Sequence, residues 1–191
     1  MKTIIYAHPY TGSLNHAVLA NITAKFTTNQ TPYQVIDLYA DHFDPVLSTE
    51  ELRQYNQGTT DDPLVTRYQE MLHQTDDLIL IFPVWWYDLP AILKGFFDKV
   101  MLPTFSNDED EDGMLLGKLT HIRTTTLITT AGQQRDFFAK THTDSLQTTF
   151  ADFILPNLGI PAETVRRFHF GTIHQDRAQS AAFLKRVVAA V

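Results

Sequence analysis

An unbroken apolar run, Leu78-Ile79-Leu80-Ile81-Phe82, predicts a strand buried on both faces. The run breaks at Pro83-Val84-Trp85-Trp86-Tyr87-Asp88 and restarts at Pro90. After Pro90, Ile92, Leu93, Phe96, Phe97 and Val100 recur at helical spacing, which predicts a helix with proline near its start. Thr3 to Ala7 reads as strand one, with His8 at its end. The polar turn His8-Pro9-Tyr10-Thr11-Gly12-Ser13 follows, then a helix with Leu14, Val18, Ile22 and Phe26 on one stripe and Ser13 as N-cap. Gln34 to Tyr39 reads as strand two. Residues 40–61, broken by Asp44-Pro45 and Gly58, are expected to be irregular. Asp62-Pro63 opens a helix carrying Leu64, Tyr68, Met71 and Leu72. Met101 to Lys118 reads as a long loop with an acidic stretch, and Ile122 to Thr130 as strand four. Thr143 or Asp144 caps a helix bearing Leu146, Phe150, Phe153 and Ile154, stopped by Pro156. Thr164 to Phe170 is strand five, and Asp176 caps a last helix with Ala181, Leu184 and Val188 on one side.

Five strands alternating with helices predict one α/β domain spanning 1–191, a doubly wound parallel sheet with helices on both faces. The flavodoxin-like strand order 2-1-3-4-5 is the expected topology. At 191 residues and 43% hydrophobic content the chain suits a single core. A net charge of −7 argues against a general nucleic-acid or anionic-membrane binder. With no cysteine, thiol nucleophiles, disulfides and Cys-ligated metals are excluded. Met1-Lys2-Thr3-Ile4-Ile5-Tyr6 runs straight into a strand with no signal-peptide pattern, and no stretch reaches the ~18 apolar residues of a membrane span. A cytoplasmic location without membrane insertion is expected.

Candidate chemistry gathers at three strand ends, where open α/β sheets bind ligands. Thr11-Gly12-Ser13-Leu14-Asn15 opens a helix, whose free N–H groups and partial positive charge suit a phosphate. A plain capping role for Ser13 explains the same residues about as well. His8 beside that turn offers a ring N–H, although a histidine at a strand end is more often structural. Pro83 to Tyr87 suits the edge and face of a planar heterocycle, against the alternative of an aromatic core or interface cluster. On an extended backbone Trp85 and Trp86 point opposite ways, one to a ligand and one to the core or a partner. Thr129-Thr130-Ala131-Gly132 offers hydroxyl donors and close backbone approach, or merely an ordinary strand end. Other motifs fail. Asp108-x-Asp110-x-Asp112-Gly113 begins like a calcium loop but has Leu119 where a bidentate glutamate is needed. Gly113 to Lys118 is one residue short of a phosphate-binding P-loop. No metal site or hydrolase triad is expected.

Together the three loops resemble the family of NAD(P)H:quinone oxidoreductases of flavodoxin-like fold. That family includes mammalian quinone reductases, bacterial modulators of drug activity and ancillary subunits of glutathione-gated potassium efflux systems. The resemblance rests on Ala7-His8-Pro9, Ser13-Leu14-Asn15, Asp37-Leu38-Tyr39, Phe43-Asp44-Pro45, Phe82 to Tyr87, Pro90 to Val100, Gly117-Lys118 and Thr129 to Gly132. It implies a non-covalent flavin (FAD or FMN), NAD(P)H as co-substrate, a quinone-like acceptor reduced by ping-pong hydride transfer, and a homodimer with active sites at the interface. Under it, His8, Ser13, Leu14 and Asn15 hold the flavin phosphates. Pro83, Val84, Trp85, Trp86 and Tyr87 run along the isoalloxazine, and Thr129, Thr130 and Gly132 meet its pyrimidine side.

Three departures stand out. Pro103-Thr104-Phe105-Ser106 replaces an aromatic Gly-Phe-Ala-Tyr-like segment, and Ala131 takes the place of a first glycine. Phe137 falls near a tyrosine of the mammalian members and His142 near its histidine partner, which makes His142 the catalytic candidate. A phenylalanine cannot donate a proton, so a Tyr-His relay is not carried over intact. The other readings are a regulatory subunit of a potassium-efflux system and a flavodoxin-type one-electron carrier. The Trp-Trp-Tyr-x-x-Pro-Ala-Ile-Leu-Lys-Gly segment is foreign to the carriers.

Overall fold

Side-chain alternation along the central strands divides the apolar residues into two cores, one on each face of a single sheet. The computed structural model describes residues 1–191. Its sheet comprises β1 (Lys2–Tyr6), β2 (Tyr33–Asp37), β3 (Asp77–Pro83), β6 (Thr124–Ala131) and β7 (Val165–Gly171). All are parallel in the order β2-β1-β3-β6-β7, the arrangement expected from the alternating pattern. Ile5, Leu78, Leu80, Phe82 and Leu127 face one side, toward α3 (Pro63–His73), α4 (Ala91–Val100) and the helix that starts at Leu146. Ile4, Tyr6, Ile79, Ile81 and Ile128 face the other, against α1 (Leu14–Thr28) and α7 (Arg177–Ala190).

The caps on α1, α3 and α7 are those the sequence suggests. Ser13 accepts from the His16 N–H, Asp62 from the Leu64 N–H and Asp176 from the Gln179 N–H. The buried stripe of α7 differs, however. Phe183 and Val187 are its buried residues, Leu184 and Val188 are only half-buried, and Ala181 is exposed.

Three segments depart from expectation. Residues 40–61 contain α2 (Thr49–Tyr55), opened by a reciprocal cap between Ser48 and Glu51. No residue of α2 is buried, so it left no apolar stripe to read. The expected loop 101–118 holds an antiparallel hairpin, β4 (Asn107–Glu109) with β5 (Leu115–Gly117). The acidic residues form its turn, where Asp110 accepts from the backbone of Asp112 and Met114. The last correction concerns residues 132–157, where a short helix α5 (Arg135–Lys140) precedes a π-helix, Leu146–Ile154, that runs into α6 (Leu155–Asn157). Pro156 lies within that last turn instead of stopping it. Asp144 spends its carboxylate on Arg167 rather than on a cap. The wider i→i+5 register also turns Phe153 out to solvent, although its spacing had placed it on the buried stripe.

Candidate active site

The loops that leave β1, β3 and β6 share one edge of the sheet and are stitched together there. The Ala7 N–H donates to Ile81 O at 3.0 Å and the Val84 N–H to Thr130 O at 2.7 Å. Asn15, at the start of α1, is buried and donates its amide to Thr130 Oγ1 at 2.8 Å.

Trp85 to Asp88 is a tight turn closed by two 3.1 Å backbone bonds between its end residues. Trp86 and Tyr87 have φ of 49° and 68°, the two left-handed positions of a type I′ turn. Such positions normally take Asn or Gly. A tryptophan and a tyrosine there store on the order of 1 kcal/mol each, which scaffolds tolerate mainly where a site needs them. The turn overrides the extended geometry expected of Trp85 and Trp86. Neither ring enters the core, and Trp86 is 94% exposed. Its side chain buries almost nothing within its own chain, so Trp86→Gly is expected to leave the thermal midpoint, measured at dilutions where the chain is monomeric, no lower than wild type. Affinity for a planar aromatic ligand should fall about tenfold, the loss of one stacking ring. A midpoint drop of several degrees would show that Trp86 already packs on something.

Thr129 and Thr130 are both buried with their hydroxyls committed inside the protein. The donors expected from them come instead from the backbone that follows. The carbonyls of Ala131, Gly132 and Gln133 accept from the Thr172 N–H, the Ile173 N–H and His169 Nε2, at 2.7, 2.9 and 2.9 Å. The N–H groups of Gly132, Gln133 and Gln134 donate to no protein acceptor. Neither do those of Leu14 and Asn15 at the α1 terminus, nor those of Trp86 and Tyr87. Each loop therefore brings unpaired backbone donors to the same edge.

Between the second and third loops lies an open cavity of about 580 Å³. Val84, Trp85, Trp86, Tyr87, Ala131 and Gly132 line it together with Gln133 and Phe138. The His8 ring stands 6.2 Å from that of Trp85, and its Nδ1 accepts from the Tyr10 N–H. Burial pushes the His8 imidazole below its ordinary range. Thr11, Ser13 and Leu14 lie at the α1 terminus, outside the cavity wall. The Tyr6 hydroxyl and Asn15 Oδ1 are buried without a hydrogen-bond partner. Pro83 is buried at the end of β3.

His142 is not in this cavity. It lines a neighbouring polar one of about 510 Å³ with Arg135, Asp136 and Gln147, on the far side of Phe138. Phe138, not Phe137, forms the wall between them, packing edge-to-face on Tyr87 at 6.0 Å and on His169 at 5.5 Å. Sequence reasoning missed Phe138 and His169. The adjacent Phe137-Phe138 pair gave a signal without saying which ring turns inward, and His169 sits in a strand that reads as plain core.

Residues 2–187 match the model of a family described as having a flavodoxin-like fold. An uncharacterised NAD(P)H oxidoreductase of Haemophilus influenzae is 32% identical over 182 residues, 93% of this chain and 88% of that one. The ribosyldihydronicotinamide dehydrogenase (quinone) of Pongo abelii is 30% identical over 70% of this chain and 68% of its own. Among solved structures, an NAD(P)H:quinone oxidoreductase from Methanothermobacter marburgensis superposes with a TM-score of 0.84 at 26% identity, covering 99% of this chain and 95% of that one.

Proposed function

The chain belongs to the flavodoxin-like family of NAD(P)H:quinone oxidoreductases, and from that premise we propose that it is a flavin-dependent enzyme passing reducing equivalents from NAD(P)H to a quinone-like acceptor. The observation that carries this reading is the pairing of an apolar, aromatic-walled cavity with rows of unpaired backbone N–H groups on three adjoining loops. A flavin is a ring with a polar edge and a phosphorylated tail, and that donor set fits it. The free N–H groups of Leu14 and Asn15, with the Ser13-capped terminus of α1, would hold its phosphate. Those of Gly132, Gln133 and Gln134 would meet the polar edge of the ring. Val84, Trp85, Trp86, Tyr87 and Phe138 would wall it and keep water off one side.

When bound, the flavin supplies the hydride chemistry between nicotinamide and acceptor, and the protein supplies binding, orientation and exclusion of water. No side chain in the cavity is required as a nucleophile. His142 keeps at most an indirect role, because Phe138 separates it from the ring cavity. The exposed Trp85, Trp86 and Tyr87 form an apolar rim of the kind that a second copy covers, so the reading includes a homodimer. No helix is long and apolar enough to cross a membrane, and the reading keeps a cytoplasmic location.

The test is the visible spectrum of the purified protein, its mass in solution, and NAD(P)H-dependent reduction of menadione after addition of FMN or FAD. Flavin absorbance near-stoichiometric with chain, with turnover, is expected. A protein that stays colourless with both flavins sinks the proposal.

A further inference from the structure

His169 is built into the wall behind the ring cavity by contacts that determine its chemical form. Its Nε2 lies 2.9 Å from Gln133 O, and a carbonyl only accepts, so Nε2 carries the proton. Its Nδ1 lies 2.8 Å from Thr129 Oγ1, and in the neutral ring, which burial favours, it accepts from that hydroxyl. The neutral ring is therefore held in one tautomer between the last buried threonine pair of β6 and the loop that follows. Two residues earlier on the same face of β7, Arg167 grips Asp144 through two bonds of 2.9 and 3.1 Å and Gln147 through one of 2.9 Å. The segment from Gly132 to Gln147 is thus fastened to β7 near both ends. Phe138, the shared wall of the cavities, stands between the two fastenings with its ring perpendicular to that of His169.

We propose that His169 is a positioning residue for the flavin-type site: in its neutral Nε2–H form it clamps the 131–134 loop to β7, so that the loop's carbonyls stay turned inward, its N–H groups stay free for the ligand, and Phe138 stays in the cavity wall. This rests on the functional reading above for its ligand, but not for the clamp. The geometry explains why histidine serves here. A single rigid ring accepts on one side, donates on the other and packs perpendicular to Phe138. It also makes the loop sensitive to acid. A second proton would place a charge at Nδ1 in a buried site, with Thr129 turned from donor to acceptor and its hydroxyl redirected toward Phe168 O, 3.5 Å away. Burial opposes that proton first, the Arg167 and Arg135 guanidiniums oppose it further, and Asp144 and the Gln133 carbonyl favour it. Tyr87 and Thr143 complete the ring of polar groups around the small cavity it faces. The clamp is accordingly complete above the ordinary histidine value of 6.5 and loosens as pH falls below it.

The experiment compares wild type with His169→Phe, which keeps a ring but no bonds, and His169→Gln, which can both donate and accept. Amide exchange is followed at Thr172 and Ile173, whose N–H groups bond Ala131 O and Gly132 O, relative to amides of β1. His169→Phe should speed exchange at those two sites at least tenfold beyond any change in β1, weaken FMN binding about tenfold and abolish the loss of FMN affinity below pH 6.5. His169→Gln should restore protection and affinity to within about threefold, without the acid loss. Imidazole nitrogen shifts of the wild type at pH 7 should report the Nε2–H tautomer. An Nδ1–H tautomer or a charged ring at pH 7 overturns the clamp. So does exchange at Thr172 and Ile173 that only follows β1. If wild type binds neither FMN nor FAD, the functional reading fails, and the exchange and tautomer results still decide the clamp.

Discussion

Phe138→Ala is expected to destabilise the protein by about 3 kcal/mol and to weaken flavin binding at least tenfold. The ring is 7% exposed and packs edge-to-face on Phe137, Tyr87 and His169 at 5.8, 6.0 and 5.5 Å. Phenylalanine-to-alanine changes in buried positions cost about 3–5 kcal/mol, and the lower end applies because three cavities already border the ring. The same change removes the partition between the ring cavity and the polar one beside His142, so water reaches the ring from behind. Phe138→Leu should recover most of the stability and little of the affinity, because it refills volume but not the flat wall. Urea midpoints with an FMN titration measure both effects. An alanine variant with wild-type affinity would show that Phe138 is packing and nothing more.

Lys99→Met should cost about 3 kcal/mol, with its effect centred far from the cavity. Lys99 is only 4% exposed, and its amine meets Glu51 at 2.7 Å, Asp62 at 3.3 Å and Asp44 O at 3.0 Å. Burial alone would push the amine down, but the two carboxylates outweigh it and hold it above its ordinary value. For Glu51, burial pulls upward, and Lys99 together with Ser48 keeps the carboxyl below its ordinary value. Breaking a buried pair typically costs about 3–5 kcal/mol, and the lower end applies because the carboxylates retain 21 and 22% of their surface.

The signs give the pH window. A raised lysine stabilises below its unfolded value of 10.5, and a lowered glutamate stabilises above its unfolded value of 4.5. The contribution is therefore full between those limits, and the gap between wild type and Lys99→Met should narrow as pH falls below about 4.5. Because no residue of α2 is buried, that helix should loosen first in the variant, seen as early proteolysis within Thr49–Tyr55. A gap that stays constant from pH 7 to pH 3 would contradict this account.

These two residues also mark the boundary of what could be read before the fold was known. The five strands, their order and the three loops at one edge of the sheet follow from local patterns. Unbroken apolar runs give strands covered on both faces, and Ser13, Asp62 and Asp176 announce helix starts by hydrogen bonds made within a turn. Period and capping are short-range properties, and the chain carries them wherever it goes. What the chain alone could not decide were contacts closed between distant residues. No residue of helix α2 is fully buried, and it is tied to the rest of the fold by the half-buried Tyr55 and by a salt bridge from Glu51 to Lys99, 48 residues away. Thr129 reads as a free donor until His169 is brought beside it, 40 residues on, and engages its hydroxyl in a hydrogen bond.

The aromatic segment shows the same division within seven residues. That Trp85, Trp86 and Tyr87 stand at the end of a buried strand is plain from the run before them. That they turn back on themselves through two left-handed residues, and so leave Trp86 in solvent, is a strained choice that no local propensity favours. Backbone bonds within the turn and the Ser145 hydroxyl on Tyr87 O hold it there. Which way Phe137 and Phe138 divide is settled likewise by the clamp of β7 on either side of α5. Local chemistry chose the elements and the edge on which they meet. Packing across the sheet chose which side chains reach the cavity, because only the assembled neighbours supply the partners that make one rotation of a loop cheaper than another.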